Sequence, residues 1–175
     1  MKYLFLLLLL ISAAPVGAQV TCKENVMTTN RFCSSKAERS GGNFYFFATN
    51  DTGTEANVLF NFGGLISSSR PDGVMVKLDN GAPFKVKATA TRPDVNCRGY
   101  GGCRWSVGAA AEFTSPQFNQ IAGASKMLVS FTDGAYVSEP IEVDPRKIGS
   151  WFQEWITLTK GTPSVGGTAD SAPKN

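Results

Sequence analysis

Apolar residues recur along this chain mostly with a period of two, and the segments that carry them are short. Phe44-Tyr45-Phe46-Phe47-Ala48-Thr49 and Asn57-Val58-Leu59-Phe60-Asn61-Phe62 are aromatic and β-branched runs bounded by turn residues, which predicts two buried strands forming a hairpin. Val74 to Leu78 and Phe84 to Thr89 flank Asp79-Asn80-Gly81. Phe84, Val86 and Ala88 alternate with Lys85, Lys87 and Thr89, so one face is dry and one wet, and Asn-Gly is expected to supply the positive φ of the turn. Arg104 to Val107 predicts another short strand. Lys126 to Phe131, the turn Asp133-Gly134, and an arm from Tyr136 to Val143 predict a further hairpin, with Pro140 marking the arm as irregular. Residues 22–43 carry charges and few apolar positions, which fits a leading strand and loop.

Two segments switch to a helical period. Ser115-Pro116 looks like a cap followed by a first-turn proline, so residues 116–122 form a short helix with Phe118 and Ile121 on one face. Asp144-Pro145 opens the longest helix, in which Ile148, Trp151, Phe152, Trp155 and Ile156 share one face. Arg146, Lys147, Gln153 and Glu154 are left for the other. The expected fold is a mainly β domain, an antiparallel β-sandwich or β-barrel, with a short helix and a C-terminal amphipathic helix covering it.

The ends differ in kind from this middle. Met1-Lys2, the apolar run from Tyr3 to Ile11, and Val16-Gly17-Ala18 have the layout of a secretory signal peptide cut after Ala18. The run is shorter than the roughly 20 apolar residues that span a bilayer. Residues 19–160 are then one domain, and residues 161–175, rich in Gly, Ser, Thr, Ala and Pro, form a disordered tail. No transmembrane segment is expected once the signal is removed.

Charge and cysteine usage narrow the partners and the compartment. The formal charge of +3, of which Lys2 leaves with the signal, points to neither nucleic acid nor an acidic membrane. Cys22, Cys33, Cys97 and Cys103 are an even set in an exported chain, which reads as two disulfides. Three pairings exist, and short loops favour Cys22 with Cys33 and Cys97 with Cys103. Zinc does not fit these spacings, and the chain has no histidine.

In order along the chain come the early cysteine pair, the aromatic strands, the Asp-Asn-Gly turn, Gly101-Gly102-Cys103, Val129-Ser130-Phe131-Thr132-Asp133 and Ile148-Gly149-x-Trp151-Phe152. This order resembles the invasion-associated locus B family of exported bacterial proteins. The family commonly has a tryptophan ahead of the first cysteine, where this chain has Gln19-Val20-Thr21. The resemblance implies a small disulfide-containing β-rich protein of the periplasm or cell surface, and it implies no catalytic residues.

The residues agree on chemistry. With no histidine and with paired cysteines, the usual general base and thiol nucleophile are missing. Glu112, Asp133, Glu139 and Glu142 are the clustered carboxylates, and a serine–lysine dyad such as Ser125 with Lys126 is the other form open to the chain, although adjacent strand residues face opposite ways. Neither reads as an active centre, so no enzyme activity and no cofactor are expected. Gly99-x-Gly101-Gly102 lacks the lysine-serine sequel of a phosphate loop. Lys77, Lys85, Lys87, Arg92, Arg98 and Arg104 outnumber Asp79 and Asp94, a weak basic face or the ordinary wet side of a sheet.

The candidate partner-binding residues are Arg98, Tyr100, Arg104 and Trp105, on and beside the small loop between Cys97 and Cys103. A closed loop presents an aromatic at little ordering cost. The expected function is that of a non-catalytic binding or envelope-associated protein whose partner is a protein or an envelope component. The alternative is an exported inhibitor of a host or competitor enzyme.

Overall fold

The computed structural model describes residues 19–25, 27–28, 30–50, 55–63, 70–97 and 103–160. The proposed signal peptide and the proposed tail lie outside them. Among the described residues, twelve strands form one antiparallel sheet that is not closed into a barrel, and two helices accompany it.

The strands are β1 (Val20–Glu24), β2 (Arg31–Ser35), β3 (Glu38–Ser40), β4 (Asn43–Thr49), β5 (Ala56–Gly63), β6 (Gly73–Leu78), β7 (Phe84–Ala90), β8 (Asp94–Cys97), β9 (Cys103–Glu112), β10 (Met127–Asp133), β11 (Tyr136–Val137) and β12 (Ile141–Val143). Helix α1 spans Ser115–Gly123 and α2 spans Pro145–Lys160. The main order is β1-β2-β4-β5-β9-β7-β6-β10-β11, with β3 on β4, β8 on β9 and β12 on β10.

β7 joins the two halves. Its first residues, Phe84 to Lys87, pair with β6, and its last, Ala88 to Ala90, pair with β9. The two halves share one core, in which Phe62 of β5 meets Phe131 of β10 with ring centroids 5.1 Å apart.

Burial follows the period of two. Tyr45, Phe47 and Thr49 are buried on β4, while Phe44 and Phe46 are half-buried and stack on each other at 6.4 Å. The aromatic run is therefore buried on one face, not on both as its continuity suggested. The next strand agrees: Ala56, Val58, Phe60 and Phe62 are buried on β5, directly paired to β4 as the hairpin predicted.

Four local expectations change. Residues 22–43 hold three strands in place of one, because the Cys22–Cys33 disulfide and the β1–β2 ladder compensate for a weak apolar pattern. β9 is much longer than Arg104 to Val107, since Gly108 and three alanines fit a central position between β5 and β7. Packing there overrides low strand propensity. The positive φ of the 79–81 turn falls on Asp79, at 45°, and not on Asn-Gly. Asp79 Oδ1 accepts hydrogen bonds from the backbone N–H groups of Ser125 and Lys126 at 3.0 and 2.9 Å, and those bonds hold the unusual backbone. The cap of α1 is Thr114, one residue early, whose N–H donates to Gln117 Oε1 at 2.8 Å.

The third hairpin forms as expected, with Gly134 at φ 59° opening a two-residue turn between β10 and β11. Its returning arm slips by one residue between Thr132↔Val137 and Val129↔Ile141, a β-bulge. Ser138 fills the gap: its hydroxyl accepts the N–H of Phe131 at 3.0 Å.

α2 begins where Asp144 Oδ1 accepts the N–H of Arg146 at 3.0 Å. Ile148, Trp151 and Phe152 are buried, and Phe152 stacks on Phe118 of α1 at 4.1 Å. Glu154 does not join the outer face. Its carboxylate accepts the N–H groups of Gln19 and Val20, so the last helix fastens the first strand.

Candidate functional site

Both expected disulfides are present, Cys22–Cys33 and Cys97–Cys103, and each joins directly opposed residues of an antiparallel pair. Their surroundings differ. Cys33 is fully buried, and its N–H donates to Thr49 Oγ1 at 2.8 Å. Cys97 and Cys103 are exposed, so the second bond closes a surface hairpin and does not reinforce the core. Loop closure gives each on the order of 2 to 3 kcal/mol.

That hairpin is built from β8 and the first residues of β9. β5 stops at Gly63, opposite Ser106, so Cys103 to Trp105 run on past the end of that neighbour. On the other side β7 pairs up to Ala90, and the Thr91 N–H donates to Gly108 O at 2.8 Å. Arg92-Pro93 then break the ladder, as proline must, and β8 resumes it one residue out of register with Asp94 opposite Ser106. Val95 lies opposite Trp105 and Cys97 opposite Cys103.

The alternation of β9 decides what this extension presents. Val107, Ala109 and Ala111 face the core, and side chains two apart share a face, so Trp105 and Cys103 continue that same apolar face outward. The face is less deeply buried there than at Val107 and beyond. Val95 and Trp105 are each 39% exposed, a paired apolar surface next to an exposed disulfide.

Of the four candidate binding residues, Trp105 is thus placed on this partly exposed strip. The β9 backbone holds Arg104 opposite Asn96. Arg98 and Tyr100 lie outside the described residues. Val95 was missed, because one valine between proline and cysteine carries no pattern until β8 is paired.

The basic face is divided. Lys85 pairs with Asp72 at 3.1 Å and Lys87 with Glu112 at 3.7 Å. Asp72 also accepts the Thr132 hydroxyl, and this bond, followed by the Lys85 ammonium, holds its carboxyl below the usual carboxylate range.

Three of the four carboxylates weighed for catalysis, Glu112, Asp133 and Glu142, are likewise engaged. Glu142 pairs with Lys126 at 3.0 Å, and Asp133 Oδ2 accepts the Arg70 N–H at 2.9 Å. The Lys126 ammonium therefore goes to Glu142, away from any dyad with Ser125. Among the described residues no group of three or more His, Cys, Asp or Glu could hold a metal ion. No helix among them is long and apolar enough to cross a membrane.

Comparison with known proteins adds little to this geometry. No protein-family model and no curated protein matches the chain. Among solved structures, the crystal structure of invasion associated protein b from Bartonella henselae is similar, with a TM-score of 0.43 and 10% identity, over 81% of this chain and 94% of that one. A likeness of that size carries nothing about activity.

Proposed function

We propose that this chain is an exported, non-catalytic protein of the periplasm or cell surface that binds a protein or envelope component through the β8–β9 hairpin. The observation that carries the reading is the core face of β9 running on, among the described residues, past the end of β5, with Val95 and Trp105 partly exposed beside the Cys97–Cys103 bond. Tryptophan held on a closed hairpin is suited to a binding hot spot, because little order is lost on contact. Two disulfides in the folded chain, and a leader of signal-peptide layout, support an oxidising destination.

The test is capture from envelope extract of the producing cell by tagged protein, repeated with Val95→Ser/Trp105→Ser. Loss of a hot spot of about 2 kcal/mol or more weakens binding roughly thirtyfold. A stoichiometric envelope component lost with the variant supports the reading. Capture that survives in a folded variant removes the hairpin from it. Capture of a stoichiometric enzyme from a host or competitor extract would instead identify an inhibitor.

A further inference from the structure

The contact between the two ends of the domain sets one carboxylate against two successive backbone nitrogens. Gln19 N lies 3.1 Å from both Oε1 and Oε2 of Glu154, and Val20 N lies 3.1 Å from Oε2. An amide nitrogen has one hydrogen to share between the two carboxylate oxygens. An α-ammonium has three hydrogens and a full charge, and charge-assisted bonds are the stronger kind. Glu154 sits on α2, in the folded body of the domain, so its carboxylate is in place before any partner arrives.

We propose that Glu154 is a receptor for the mature amino terminus: with the chain cut between Ala18 and Gln19, it binds the Gln19 α-ammonium and keeps that residue from cyclising. The proposal rests on the export reading, which supplies the cut. Cyclisation of an N-terminal glutamine needs the neutral amine. Its nitrogen attacks the glutamine's own Cδ, the C–N bond of the side-chain amide breaks, and ammonia leaves with the transferred proton, giving the five-membered pyroglutamyl lactam. A carboxylate on the amine holds the proton on and points the nitrogen away from Cδ.

Gln19 also lines an open groove of about 630 Å³ whose other charged residues are Lys23, Lys36, Glu38 and Lys147. Lys147 is bonded to Glu38 at 2.6 Å, which leaves Glu154 as the carboxylate in contact with the amino terminus.

Full-length protein and its Glu154→Gln variant are purified from the exported fraction and followed by intact mass at neutral pH and 37 °C. The wild type should start at Gln19 and keep its ammonia, while Glu154→Gln loses one ammonia faster. Each pH unit by which the carboxylate raises the amine's titration lowers the reactive fraction about tenfold, so an acceleration approaching tenfold is expected. A second readout is the pH profile of acylation at the Gln19 amine, scored on the N-terminal peptide. Its midpoint should fall toward the ordinary value of roughly 7.7 to 8.0 in the variant. Equal cyclisation rates, or wild type isolated already cyclised, overturn the receptor while leaving the cut in place. A mature chain beginning at any other residue overturns the cut and the receptor together.

Discussion

Replacing Trp151 by alanine tests whether α2 is part of the core or only lies on it. The indole is 1% exposed and meets the Tyr45 ring at a centroid distance of 5.9 Å. A buried tryptophan removes about 150 to 250 Å² from water, which at about 25 cal/mol per Å² is roughly 4 to 6 kcal/mol. Alanine keeps a part of that, and large-to-small changes of this kind cost about 3 to 5 kcal/mol when measured. For a domain of this size the loss corresponds to a fall in Tm on the order of 10 to 20 °C. Urea unfolding followed by circular dichroism gives the midpoint and the slope. The slope should stay constant while the midpoint drops, because the folded and unfolded surfaces barely change. Trp105→Ala is the internal control, since its side chain lies outside the core, and it should move stability by no more than about 0.5 kcal/mol. Trp151→Ala as mild as Trp105→Ala would refute the placement of α2, and the helix face would then be open surface.

Three further outcomes follow from particular contacts. Gly149→Ala should destabilise by roughly 1 to 2 kcal/mol in the same urea assay, because the added Cβ would come within 2.6 Å of Ala122 Cβ and 2.8 Å of its Cα; a gain of stability, as helix propensity alone predicts, would mean that α1 and α2 separate easily. Tyr45 is raised above its ordinary 10.0 chiefly by burial, and Lys147 above 10.5 chiefly by its bond to Glu38. Both folded values exceed the unfolded ones, so their contribution is complete below about pH 10 and is lost as pH rises through the folded values; a urea midpoint that stays level there in the wild type contradicts both placements. Trp155 Nε1 is buried without a hydrogen-bond partner among the described residues, so Trp155→Phe should cost well under the about 3 kcal/mol of a truncation, and a larger loss in the urea midpoint would reveal a partner for that nitrogen.

The strands legible in the sequence were those whose own residues settle the matter. β4, β5, β6, β7 and β10 carry alternation or aromatic runs strong enough to be seen without neighbours, and Gly134 does what a glycine after aspartate in a hairpin should. β9 was cut short because Gly108-Ala109-Ala110-Ala111 has no strand signal of its own; its place between two partners supplies one. Asp79 was missed for a related reason. The bonds that hold its backbone come from Ser125 and Lys126, far along the chain, while Asn80-Gly81 beside it offered a familiar local explanation. Glu154 was assigned to solvent by helical periodicity, which cannot register a strand's N–H groups arriving from the other end of the domain. The Cys97 to Cys103 loop was legible as a closed ring. That its stem carries the core face outward required the registers of β5, β7 and β8.

The fastening of β1 by α2 also bears on when this chain can fold. Glu154 holds Gln19 and Val20, and Leu158 O accepts a hydrogen bond from Arg31, so the first two strands are completed by α2. The long ladder between β5 and β9 is non-local too, and such pairings must close large loops before they are rewarded. During synthesis, then, these contacts of the first strands cannot form until residues 145–160 have left the ribosome. A native fold completed by α2 fits the proposed export, in which the chain would cross a membrane in extended form.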